Sequence, residues 1–164
     1  MKNFYIFLDI DGVLNNRNWI KTCVDYNLES KGYNKFIDPN SIKALNIIIE
    51  SLEKYFNVII VLSSLWKLNG VDKVSNLLQS QNLKISNKIF KTPDKYNRNR
   101  LTEIMSFMSQ NQVGVNFLVI DDENLADYFP TTKFILSTGF DNNGLTPEQA
   151  DNWLKCLNIN ILNK

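Results

Sequence analysis

The chain has 164 residues, 44% of them hydrophobic and 21% charged, which is the content of one compact domain spanning residues 1–164. Eighteen Lys plus Arg against seventeen Asp plus Glu leave a net charge of +1, so no overall field draws the chain to nucleic acid or to an anionic membrane. There is no histidine, which excludes Ser-His-Asp and Cys-His nucleophiles and His-bound zinc, and Cys23 and Cys156 are too few for a disulfide scaffold.

The first apolar run, Phe4 to Leu8, reads as a strand and ends in Asp9. Five residues are too short for a signal-peptide core or a membrane span, so a soluble protein of the reducing cytoplasm is expected, without membrane contact. Residues 15–37 read as an insertion, a small flap or minimal cap. Ile42, Leu45, Ile48, Ile49, Leu52 and Phe56 then recur at helical spacing after Asp38-Pro39, a plausible cap and first turn. Val58 to Leu62 is a second strand. Val71, Val74, Leu77 and Leu78 form a helical stripe after the Asn69-Gly70 turn signal, and Ile89 and Phe90 mark a weaker strand. Leu101, Ile104, Met105 and Met108 make a third stripe. Phe117 to Ile120 and Lys133 to Leu136 are further strands, and Thr146-Pro-Glu-Gln149 reads as a capping box before Ala150, Trp153, Leu154 and Leu157. Strand and helix alternate, and the strands are apolar on both faces. Together these features predict an α/β fold, a Rossmann-like doubly wound parallel sheet.

In such a sheet the working site lies beyond the carboxyl ends of the strands. Those ends carry Asp9-Ile-Asp11-Gly, Ser63-Ser64 and Asp121-Asp122-Glu123. A single acid pair is also what a helix cap or a solvated loop would use. Acids gathered from separate strands repel one another and raise each other's pKa, and a hard divalent cation relieves this. All-oxygen ligands suit Mg²⁺. Without imidazole, carboxylates are left to carry the proton transfer.

These motifs resemble the haloacid dehalogenase (HAD) superfamily of phosphohydrolases: Asp9-Ile-Asp11-Gly-Val for the first motif, Ser63 for the second, a basic residue for the third and Asp121-Asp122 for the fourth. The resemblance extends to one branch, the HAD domain of Swiss Army Knife RNA repair proteins, through Asp9 to Asn15, Leu62-Ser-Ser-Leu-Trp66, Arg100 to Ile104, Ile120-Asp-Asp122 and Gly144-Leu-Thr146. It implies Asp9 as a nucleophile forming an aspartyl-phosphate and Asp11 as the general acid and base. It also implies Ser63 as a donor to a phosphate oxygen, with Ser64 as the fallback. Mg²⁺ would be held by Asp9, the backbone carbonyl of Asp11 and the acid pair, with Asp122 as the direct ligand and Asp121 behind it or linked through water. For the third motif Arg100 is favoured, with Arg98 and Lys95 as alternatives; the competing role for Arg100 is a local pair with Glu103. Lys67 stands where the branch leads one to expect Arg; Lys keeps the charge but loses bidentate phosphate recognition.

Lys91, Lys95, Arg98 and Arg100 against one acid, Asp94, form a basic stretch suited to a polyanion or to plain solvation. In the flap, Trp19, Tyr26, Tyr33 and Phe36 interleave with Arg17, Lys21, Lys31 and Lys35, a mixture that stacks bases or packs the flap down. The expected function is Mg²⁺-dependent phosphate hydrolysis on a phosphorylated substrate, with polynucleotide ends or nucleotides favoured. A phosphotyrosine or phosphoserine protein phosphatase using the same residues, a receiver-type phosphoacceptor and an inactive binding module are the alternatives.

Overall fold

A computed structural model describes residues 1–94 and 99–162, with side chains described to residue 157. In chain order the elements are β1 (Lys2–Leu8), α1 (Arg17–Asp25), α2 (Pro39–Leu52), β2 (Phe56–Leu62), α3 (Val71–Ser80), β3 (Phe90–Lys91), α4 (Arg100–Gln110), β4 (Phe117–Asp121), β5 (Phe134–Leu136) and α5 (Pro147–Leu162). Short 3₁₀ turns cover Leu28–Lys31 and Leu65–Asn69. The five strands form one parallel sheet in the order β3-β2-β1-β4-β5.

Alternation along the strands divides the core in two. Ile6, Leu8, Val58, Ile60, Leu62, Leu118 and Ile120 pack with residues of α2, α3 and α5 on one face. On the other, Phe7, Ile59, Val61 and Val119 pack with Ile104 and Phe107 of α4 and with Leu125 and Phe129. Both faces are therefore covered, as the apolar runs require.

Helix starts follow the sequence signals closely. Asp38 caps α2 by accepting from the Asn40 N–H at 2.8 Å, with Pro39 in the first turn. Before α5 the box is reciprocal: Thr146 Oγ1 accepts from Gln149 N–H at 3.2 Å, and Gln149 Oε1 accepts from Thr146 N–H at 3.1 Å. Several details differ from the periodicity, and the weaker strand is Phe90–Lys91 instead of Ile89 and Phe90. Phe56 opens β2 instead of ending α2, because the chain turns at residues 53–55. Lys133 lies outside β5. On α4 the buried face is Ile104 and Phe107, while Met105 is 51% exposed.

The 15–37 segment holds α1 and the first 3₁₀ turn. Asn16 caps α1 by accepting from Trp19 N–H at 2.8 Å and donates to Asp38 Oδ2 at 2.6 Å, so both ends of the segment are fastened together. Trp19 meets Tyr33 edge to face at 5.8 Å and donates from Nε1 to Asn34 O at 3.0 Å. These two aromatics pack the segment onto itself, although Tyr33 keeps exposed surface, as do Tyr26 and Phe36.

Candidate active site

Register decides which residues meet. Leu8 stands opposite Leu62 of β2 and opposite Ile120 of β4. The next residue on each of these neighbouring strands is Ser63, Asp9 or Asp121, and the backbone ladder continues through them: Ser63 N–H donates to Leu8 O at 2.9 Å and Asp9 N–H to Ile120 O at 3.0 Å. Two residues earlier lie Val61, Phe7 and Val119, all on the α4 face. The two-residue repeat thus aims Asp9, Ser63 and Asp121 toward the helix that begins with Arg100. The row spans β1 and β4, where the connections of an open sheet diverge and leave a crevice.

Arg100 closes the row. Its Nη1 lies 3.1 Å from Asp9 Oδ1 and 2.9 Å from Asp121 Oδ2. Asn99 holds the helix start by accepting from Thr102 N–H at 2.8 Å. Arg100 therefore faces the acids, and Glu103, its alternative partner, is engaged elsewhere. Burial alone would lower the Arg100 pKa, but Asp9 and Asp121 outweigh it and the guanidinium is held above its usual value.

Asp9, Asp121 and Asp122 each offer a carboxylate oxygen, all within 4.8 Å of one another. Burial first, then the Asp9 charge, push Asp121 up to about 7, with Arg100 pulling it back. Asp122 is raised for the same two leading reasons, burial and Asp9. Three crowded carboxylates against one guanidinium form a site short of positive charge, and its hard oxygen donors fit a divalent cation such as Mg²⁺. Gly12 keeps that crowding feasible. Its φ is +73°, and a Cβ there would fall 2.0 Å from Asp122 Oδ2. Ser137, a residue without a site signal in the sequence, donates from Oγ to Gly12 O at 2.6 Å and steadies this turn.

Ser63 and Ser64 part ways. Ser64 Oγ accepts from Trp66 N–H at 3.4 Å and opens the second 3₁₀ turn. Ser63 is 1% exposed, and its Oγ has no hydrogen-bond partner among the described residues. Such a group is costly to leave unpaired, which makes it a ready donor for an oxygen of a bound anion.

Asp11 is the exposed residue of the otherwise buried turn after β1. Its Oδ1 accepts from Asn15 Nδ2 at 2.7 Å and from Trp66 Nε1 at 3.0 Å. Both donors lie within motifs visible in the sequence, but their meeting on Asp11 depends on the fold. Lys67 points elsewhere. Its ammonium is 2% exposed and bonds Glu103 Oε2 at 2.6 Å, Thr92 Oγ1 at 2.8 Å and Pro93 O at 3.3 Å. Lys95 and Arg98 lie outside the described residues. Lys91 pairs with Asp94 at 2.6 Å.

Among the described residues, no helix is long and apolar enough to cross a membrane. Comparison with curated proteins and with solved structures found no significant match. The profile of one protein family, described as the HAD domain in Swiss Army Knife RNA repair proteins, matches residues 5–150. That stretch runs from β1 into α5 and takes in every residue of the acid row, so the parallel α/β sheet with acids at its strand ends belongs to the HAD domain family of Swiss Army Knife RNA repair proteins.

Proposed function

We propose that the chain is a Mg²⁺-dependent phosphomonoesterase that works through an aspartyl-phosphate on Asp9, with the terminal phosphate of a nucleic acid or nucleotide as its substrate. The observation that carries this reading is the row itself: a buried carboxylate, Asp9, between a hydroxyl, Ser63, that has no partner among the described residues, and a guanidinium, Arg100, beside two further acids. Asp9 attacks phosphorus, and Asp11 protonates the departing oxygen and then takes a proton from the attacking water. Ser63 and Arg100 hold phosphoryl oxygens, and Arg100 also balances the carboxylates. Asp9, Asp122 and the backbone carbonyl of Asp11 would hold Mg²⁺, with Asp121 behind them or linked through water. When bound, the ion offsets the repulsion between carboxylates and phosphate.

The nucleic-acid preference draws on the family description and on the short 15–37 segment. That segment presents Tyr26, Tyr33 and Phe36 to solvent, with the Lys35 ammonium 5.3 Å from the Phe36 ring centre. Lys67 has no substrate role in this reading, since Glu103 takes its charge. The test is phosphate release, with and without Mg²⁺, from 3′- and 5′-phosphorylated oligonucleotides, nucleoside monophosphates, an aryl phosphate and a phosphotyrosine peptide. Mg²⁺-dependent turnover, fastest on a nucleotide ester and reduced to background in Asp9→Asn, is expected. Fastest turnover of the peptide would transfer the reading to a protein phosphatase, and full activity of Asp9→Asn would overturn the mechanism.

A further inference from the structure

Among the described residues, the carboxyl of Asp11 is held by one oxygen only. Oδ1 receives both the Asn15 amide at 2.7 Å and the Trp66 indole N–H at 3.0 Å. Neither contact can run in the opposite sense. An indole nitrogen only donates. Asn15 is oriented by its own Oδ1, which accepts from the Gly12 N–H at 2.9 Å and so leaves Nδ2 for Asp11. Both donors are themselves set in place. Asn15 is buried within the turn that follows β1, and Trp66 rides the 3₁₀ turn opened by Ser64 while the Phe36 ring meets the indole at 6.5 Å.

A carbonyl-type oxygen has two lone pairs, and here both are engaged. The proton of a neutral Asp11 therefore rides on Oδ2. We propose that Asn15 and Trp66 are positioning residues that clamp Oδ1 of Asp11 and so commit Oδ2 to proton transfer. Asp11 is the exposed residue of an otherwise buried turn, where an unclamped carboxyl would rotate and present either oxygen. Transfer at the moment of bond cleavage needs a fixed donor. This inference rests on the reading of Asp11 as the acid and base of a phosphomonoesterase.

In the first step an Asp9 oxygen bonds phosphorus and the phosphorus–ester oxygen bond breaks. Its electron pair goes to the leaving oxygen, which takes the Oδ2 proton and departs as an alcohol. In the second, a water oxygen bonds phosphorus, the phosphorus–Asp9 oxygen bond breaks and its pair restores the Asp9 carboxylate. The water's proton returns to Oδ2, and inorganic phosphate leaves.

Leaving groups separate a proton donor from a structural prop. A weakly basic 4-nitrophenolate departs without help, whereas the alkoxide of a 5′-phosphorylated nucleoside needs the proton. The kcat/KM value reports events through this first departure, so the later hydrolysis does not enter. Trp66→Phe keeps an aromatic ring and removes the N–H; Asn15→Leu keeps the side-chain volume and removes the donor without adding a charge beside Asp11. With folding checked by thermal melting, each is expected to lower kcat/KM for the nucleotide ester about tenfold and for 4-nitrophenyl phosphate by less than about threefold, a fraction of what a general acid supplies. Asp11→Asn should show the same bias more strongly. An equal fall on both esters, or wild-type values on both while Asp11→Asn discriminates, would overturn the clamp alone. If Asp11→Asn itself shows no bias, the acid role of Asp11 falls and the clamp with it.

Discussion

At the scale of single residues, Ser63 is where folding and chemistry conflict. A buried hydroxyl without a partner costs about 1–3 kcal/mol, and Ser63 Oγ is such a group among the described residues. Ser63→Ala is therefore expected to melt at or above the wild-type temperature, while kcat/KM falls by about a hundredfold, the usual effect of losing a donor to a transferring group. A variant that loses stability and keeps its activity would make the hydroxyl structural. The adjacent Ser64 already has its partner in Trp66 N–H. The sequence could bring both serines to the end of a strand but could not separate them, because only strand register and the 3₁₀ turn decide which hydroxyl is spent on the backbone. The role of Trp66 was illegible in the same way. Trp66 meets Asp11 across 55 positions of chain, and nothing in local pattern encodes such a meeting.

At the scale of elements, α4 carries two charges one turn apart that face different neighbours. Arg100 reaches the acids at the ends of β1 and β4, while Glu103 receives Lys67 from the turn after β2. The second pair fixes α4 against that turn and so holds Arg100 in register with the row. Both partners are nearly fully buried, so removing one strands the other. Lys67→Met is expected to cost about 3–5 kcal/mol of stability, and adding Glu103→Gln should recover a good part of it. Urea unfolding of the single and double variants measures this; a loss below about 1 kcal/mol for the single variant would contradict the brace. The helices themselves were largely legible, since caps such as Asp38 and the Thr146–Gln149 box are local chemistry. The buried face of α4 was less so. Met105 and Phe107 sit on either side of Ile104, and periodicity alone does not choose between two apolar residues when packing against Phe7 decides.

For the whole molecule, the strands were readable because a parallel sheet covered on both faces needs continuous apolar runs. Their order and register were not. Those two properties place Asp9, Ser63 and Asp121 side by side and turn them all toward α4. A one-residue slip of β4 against β1 would turn Asp121 to the opposite face and separate it from Arg100. The central claim is that this alignment makes Asp9 a nucleophile. Borohydride added during turnover tests it most directly, because it reduces an acyl-phosphate to the alcohol and so marks the carboxylate that carried phosphorus. Mass spectrometry should find homoserine at position 9, dependent on substrate and Mg²⁺. Reduction at another acid, or none during sustained Mg²⁺-dependent phosphate release, would contradict the account.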